Sequence, residues 1–132
     1  MSSVVDASVL VAALVDTGPH GAWAETVLAG GPLFAPDLAR AEATNIFRRL
    51  ERAKLISTPE ANAAQSDLML LEIEVFPFEP FADRIWELRH KVTSYDAWYV
   101  ALAEALKLPL ATLDGPLSKT TGVSCRFRTP GL

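Results

Sequence analysis

The first fourteen residues constrain this fold more than any other stretch of the chain. Met1-Ser2-Ser3-Val4-Val5 is an apolar, β-branched run of strand type, and Val9-Leu10-Val11-Ala12-Ala13-Leu14 has the make-up of a short helix. Asp6-Ala7-Ser8 breaks one from the other. A carboxylate at the end of a buried strand is costly unless something compensates its charge. In open α/β sheets, ligands bind in the crevice beyond the carboxyl ends of the strands. Asp6 is therefore placed for chemistry, and the remaining chain is expected to deliver partners to the same edge.

Beyond this opening the chain alternates between helix and strand. Asp16-Thr17-Gly18-Pro19 is a turn cluster, then a helix runs from about His20 to Ala29 and stops at Gly30-Gly31, the usual place for glycine. Leu33-Phe34-Ala35 reads as a second strand, closed by Pro36. Asp37 is expected to cap a long helix, Leu38 to about Lys54. Its apolar face is read as Leu38, Ala41, Ile46, Leu50 and Ala53, with Glu42 and Asn45 side by side three residues apart. Thr58-Pro59-Glu60 starts another helix by a threonine cap and a first-turn proline. Glu74 to Phe78 is a third strand. A helix from Pro80 to Val92 is expected to bury Phe81, Ile85, Trp86 and Leu88, with His90 exposed in its basic tail. Thr93-Ser94-Tyr95-Asp96 caps an alanine- and leucine-rich buried helix. Leu108 to Asp114 is a strand that ends, like the first, in an aspartate. A helical turn around Leu117-Ser118-Lys119 and a strand near Ser124 to Phe127 complete five strands. Strands alternating with helices imply an α/β fold in three layers, a short and mainly parallel five-stranded sheet covered on both faces.

Composition narrows the function classes. The 132 residues suit a single domain over 1–132 with a real core. The apolar run Val4 to Val15 is interrupted by Asp6 and too short to span a bilayer, and no basic segment of a signal peptide precedes it. The single cysteine, Cys125, builds neither an internal disulfide nor a thiolate metal site. A cytoplasmic protein is expected. The net charge of −4 weighs against a simple nucleic-acid-binding module but not against an enzyme with its acids gathered in a metal site.

Four acids share one topological description. Asp6 and Asp114 end strands, while Glu42 and Asp96 lie in the early turns of helices entered from the same side. In a parallel sheet all four can converge on the carboxyl edge. Each also has a plain alternative: Asp96 as a helix cap, Asp114 as a turn starter, Glu42 as an exposed helix residue. If they meet, a pair ~4 Å apart repels by about 4 kcal/mol at an effective dielectric near 20. Such a cluster must take up protons or hold cations. An oxygen-only donor set favours Mg²⁺, with Mn²⁺ a substitute, over Zn²⁺. A hard ion there suits phosphodiester hydrolysis without a side-chain nucleophile. There is no Ser-His-Asp arrangement and no Gly-rich phosphate loop.

The blocks Val5-Asp6-Ala7-Ser8, Leu38-Ala39-Arg40-Ala41-Glu42-Ala43-Thr44-Asn45, Tyr95-Asp96-Ala97-Trp98-Tyr99-Val100-Ala101-Leu102-Ala103 and Leu110-Ala111-Thr112-Leu113-Asp114 occur in this order. In that order they resemble the PIN-domain ribonucleases, in particular the VapC toxins of bacterial VapBC toxin–antitoxin pairs, over nearly the whole chain. The resemblance implies a PIN-like fold and a metal site of Asp6, Glu42, Asp96 and Asp114, with Ser8, Asn45 and Thr112 as supporting polar residues. It implies an RNA substrate (transfer, ribosomal or messenger), a homodimer, and a VapB-type antitoxin forming a heterotetramer or larger assembly. Many relatives carry a further acid where this chain has Leu117, which implies a second ion held weakly or only with substrate. Basic residues such as Arg40, Arg48, Arg49 and Lys119 are candidates for RNA-backbone contacts, with a solvated face the plainer reading of the basic stretch from Arg48 to Lys54.

Two other classes fit less well. A receiver domain needs a phosphorylatable aspartate after its middle strand, and the third strand here ends in Phe76-Pro77-Phe78. A catalytically weak PIN-fold module that only binds RNA or antitoxin would be favoured by loss of one of the four acids, and none is lost.

Overall fold

Strand and helix do alternate in the computed structural model, which describes residues 1–131. The elements are β1 (Ser3–Val5), α1 (Ala7–Val15), α2 (Pro19–Ala29), β2 (Leu33–Pro36), α3 (Ala39–Arg52), α4 (Thr58–Leu70) and β3 (Ile73–Phe76). After a 3₁₀ turn at Glu79–Phe81 come α5 (Ala82–Glu87), α6 (Ser94–Leu106), β4 (Leu110–Ala111), α7 (Gly115–Ser118) and β5 (Phe127–Arg128). The sheet order is β3-β2-β1-β4-β5, and every pairing is parallel. The chain therefore walks outward from β1 to β3, crosses back to place β4 on the other side of β1, and walks out again. The strand order reverses between β1 and β4, which is where an α/β sheet opens a crevice at its carboxyl edge.

Successive side chains of a strand point to opposite faces, and Ser3, Val4 and Val5 are all buried. Both faces of β1 are thus covered, as a parallel sheet requires. Over the sheet lies α6, whose Ala97, Val100, Ala101, Leu102 and Ala103 are buried. Its alanines let the helix approach β1, β2 and β4 closely. At the α1–α2 corner, a Cβ on Gly21 would come within 1.8 Å of the Asp16 carbonyl oxygen, so only glycine lets the chain double back there.

Several local expectations need correcting. Leu38, not Asp37, stands before α3, with no side-chain cap; the Asp37 amide instead donates to the Phe76 carbonyl at 2.9 Å, carrying the β2–β3 pairing one step further. The buried face of α3 is Ala39, Ala43 and Phe47, with Ile46 and Leu50 packed at its margin, while Ala41 and Ala53 are exposed. The bulky Phe47 sets the phase of this helix, and alanine tolerates either side. Ser57 rather than Thr58 caps α4, in a reciprocal box with Glu60. The helix expected to reach Val92 stops at Glu87 and continues as tight turns. Leu88 is buried by those turns, but Trp86 faces solvent at 67% exposure. The fourth strand ends at Ala111, so Asp114 does not end a strand; it caps α7. The last strand lies at Phe127–Arg128, overlapping the expected stretch only at its end.

Candidate active site

Asp6 is the first residue past β1 and the N-cap of α1, a position that turns its carboxylate back toward the backbone amides of the helix. Val9 N donates to Oδ1 at 3.3 Å. Ser8 Oγ donates to the same oxygen, and Thr112 Oγ1 donates to Oδ2. Both hydroxyls also accept from the segment after β4: Leu113 N donates to Ser8 Oγ at 3.1 Å and Asp114 N to Thr112 Oγ1 at 2.9 Å. The two side chains therefore brace the end of β1 against the β4–α7 connection. Asp114 is held in turn by its own cap, accepting from Leu117 N at 2.9 Å.

Asp6 is only 6% exposed. Burial pushes its carboxyl up to about 6, although the Ser8, Thr112 and Val9 hydrogen bonds oppose that, and the Asp96 charge adds to it. Asp96 sits at the third position of α6, its amide donating to the Thr93 cap at 3.2 Å. Its carboxyl is also raised, by burial first and then by the charges of Asp114 and Glu42. The four acids thus share one field at the carboxyl edge. Among the described residues neither ion pair reaches any of them, since both belong to Arg84.

Glu42 is held from α6. Tyr99, 1% exposed, donates its hydroxyl to Glu42 Oε1 at 2.5 Å. The phenol is held well above its usual range, first by burial and then by its bond to Glu42, so it remains a donor. Sequence reasoning gives Tyr99 no role. The signal was its spacing: three residues after Asp96, it lies on the same side of the helix. Asn45 is not drawn into this cluster by any hydrogen bond; it is exposed, and its Oδ1 accepts from Arg48 Nη1 at 3.3 Å. Arg40 is engaged elsewhere, donating to the Leu68 and Leu71 carbonyls at the end of α4. Leu117 is buried and supplies no charge.

The donor set is entirely carboxylate and hydroxyl oxygen, with no ion pair to any of the four acids among the described residues, which is the chemistry of a hard divalent ion. Among the described residues no three of His, Cys, Asp and Glu form a ready-made metal cage. An ion that keeps several waters and takes one or two protein carboxylates fits that openness better than one needing a closed shell.

A family model described as the PIN domain matches residues 3–123. The protein called ribonuclease VapC1 from Mycobacterium tuberculosis is 38% identical over 126 residues, covering 95% of each chain. Among solved structures, PAE2754 from Pyrobaculum aerophilum superposes with a TM-score of 0.70 at 25% identity, over 93% of this chain and 82% of that one. VapBC-5 of M. tuberculosis, a member of the VapBC family of toxin–antitoxin systems, superposes with a TM-score of 0.55 at 21% identity, over 97% and 96%.

Proposed function

Because this chain belongs to the PIN-domain family, we propose that it is a Mg²⁺-dependent endoribonuclease toxin acting on structured cellular RNA and held in check by a VapB-type antitoxin. The observation that carries the proposal is the buried Asp6 carboxylate, which feels the charge of Asp96 as Asp96 feels those of Asp114 and Glu42, with no ion pair to any of the four among the described residues. Naming as a ribonuclease of a relative matching almost end to end supports the activity. A toxin–antitoxin member among the similar structures supports the partner. Among the described residues no helix is long and apolar enough to cross a membrane; a cytoplasmic homodimer of single-domain chains, joined by antitoxin into a heterotetramer or larger, completes the reading.

Asp6, Glu42, Asp96 and Asp114 would hold the ion, Mg²⁺ or in its place Mn²⁺, one or two of them directly and the others through its waters. Bound there, it supplies positive charge against the phosphate and makes a water easier to deprotonate. The residues of the chain set the geometry. Ser8, Thr112 and the Val9 amide hold Asp6 in one orientation. Tyr99 fixes Glu42, and the Leu117 amide fixes Asp114. Such prior positioning is what makes electrostatic stabilisation effective at the moment of reaction. The carboxylates are acceptors, suited to orient water and to take its proton. Asn45, on the surface of α3, is a supporting residue toward the RNA rather than toward the ion.

The products identify the chemistry. Attack by water leaves linear phosphate ends on the fragments, whereas attack by the neighbouring 2′-hydroxyl leaves cyclic 2′,3′-phosphates. Antitoxin-free protein incubated with total RNA and Mg²⁺ should give discrete fragments with linear ends, and none after addition of the antitoxin. Cyclic ends would refute hydrolysis by water; an absence of cutting would favour a module that only binds RNA or antitoxin.

A further inference from the structure

Most cations whose contacts can be traced are tied down away from the acids. Arg84 is bound to Glu87 and Glu104, Arg40 to two carbonyls, Arg128 to Ser3 Oγ and Arg48 to Asn45. Arg89 and Lys91, in the turns between α5 and α6, differ. With His90 they line an open groove that Asp96 and Asp114 also line. Neither pairs with a carboxylate among the described residues.

Arg89 is already positioned. Its guanidinium lies 4.3 Å from the centre of the exposed Trp86 ring, and Nη1 donates to the Trp86 carbonyl at 2.8 Å. A guanidinium has five N–H donors, so one bond to the backbone leaves four for a ligand. The flat fork suits a phosphate, which it can grip through two oxygens. Lys91 is laid along the 120s loop, its Nζ 3.4 Å from Thr121 Oγ1 and its stem against Gly122. Trp86 thus gains a use: rather than filling the core, it supports a cation.

We propose that Arg89 and Lys91, with His90 beside them, form a phosphate-binding subsite for the RNA strand, next to the acids that act on the scissile phosphate. The inference rests on the ribonuclease reading and extends it to how the strand is held. A chain of net charge −4 with four acids in its site repels a polyanion. Cations on the same groove reverse that field locally. They also fix a register, since one phosphate on Arg89 and Lys91 presents a neighbouring one to Asp96 and Asp114.

The test is binding of a 5′-fluorescein-labelled, mixed-sequence 20-mer of single-stranded RNA, read by anisotropy in Ca²⁺, with intactness of the strand checked on a gel. Wild type is compared with Arg89→Gln/Lys91→Gln and with Arg52→Gln/Lys54→Gln, an equal charge change at exposed residues at the end of α3 outside the groove. Circular dichroism verifies that both variants fold. Loss of two phosphate contacts should weaken binding about tenfold and flatten the log Kd–log salt slope by ~1.4, with the control within about twofold. Equal effects of the two pairs, or none from either, would overturn the subsite; wild type that still cuts RNA in Mg²⁺ would then leave the ribonuclease reading standing. Wild type that neither binds nor cuts any RNA removes both.

Discussion

Replacing Asp6 by asparagine should stabilise the metal-free protein, and only above a definite pH. The wild-type carboxyl is raised from 3.8 to about 6, chiefly by burial. A carboxylate whose folded pKa is raised makes no difference to stability below pH ~4, where both states are protonated. Between pH ~4 and 6 the folded state alone keeps the proton, so stability falls as pH rises. Above 6 the full penalty, about 3 kcal/mol at ~1.4 kcal/mol per pH unit, is present. Asparagine removes that penalty. Its Oδ1 still accepts from Ser8 and Val9, but its amide nitrogen faces Thr112 Oγ1, and one imperfect hydrogen bond costs about 1 kcal/mol. The net expectation is a gain of about 2 kcal/mol at pH 8 and a loss of about 1 kcal/mol at pH 4. Urea unfolding in EDTA, followed by tryptophan fluorescence across this range, measures it. At an m-value of ~2 kcal/mol per molar, the midpoint of the variant should rise by about 1 M at pH 8. With Mg²⁺ the order should reverse, because binding to the folded wild type adds stability that the variant forgoes. A variant no more stable than wild type at pH 8 in EDTA, or a difference that does not change with pH, would show that burial imposes no such cost on Asp6.

Three other perturbations address the supports of the site. Tyr99→Phe keeps the packing of α6 but frees Glu42; cleavage or Mg²⁺ affinity should drop on the order of 10-fold, with unfolding moved by only ~1 kcal/mol, as single-turnover rates and urea melts can check. Thr112→Val leaves a shape of equal size but takes a donor from Asp6 and an acceptor from the Asp114 amide; stability should fall by about 2 kcal/mol and activity by more than Tyr99→Phe. Gly21→Ala drives a methyl group to 1.8 Å from the Asp16 carbonyl oxygen, so the α1–α2 corner must open; a loss of ~3 kcal/mol in a thermal melt is expected, with no selective effect on the metal requirement of the protein that remains folded.

The parallel sheet and its order of elements were legible because apolar runs, turn residues and caps agree along the chain. Asp6 stands out as a charge after an apolar strand, and Asp96 through the Thr93 cap. What was not legible depends on the third dimension. Ser8 and Thr112 meet across Asp6 only because β1 and β4 are neighbours. The Tyr99 hydroxyl is one polar atom in a helix that otherwise reads as plain core. Phase errors arise where the marker is weak: Ala41 and Ala53 look apolar but face water, and Trp86 reads as core although it carries Arg89 on its face. Arg40 looks like an RNA contact because charge says nothing of reach; its guanidinium satisfies the carbonyls at the end of α4.

If these four acids hold a divalent ion, RNA is not cut without it. The most direct test is the cleavage rate of an end-labelled RNA across a Mg²⁺ titration, for wild type and for Asp96→Asn, both verified as folded. Wild type should saturate with Mg²⁺ and be silent in EDTA, and the variant should be slower on the order of 100-fold or demand far more ion. Equal rates for the two proteins, or undiminished cutting in EDTA, would show that the acids do not hold a required ion.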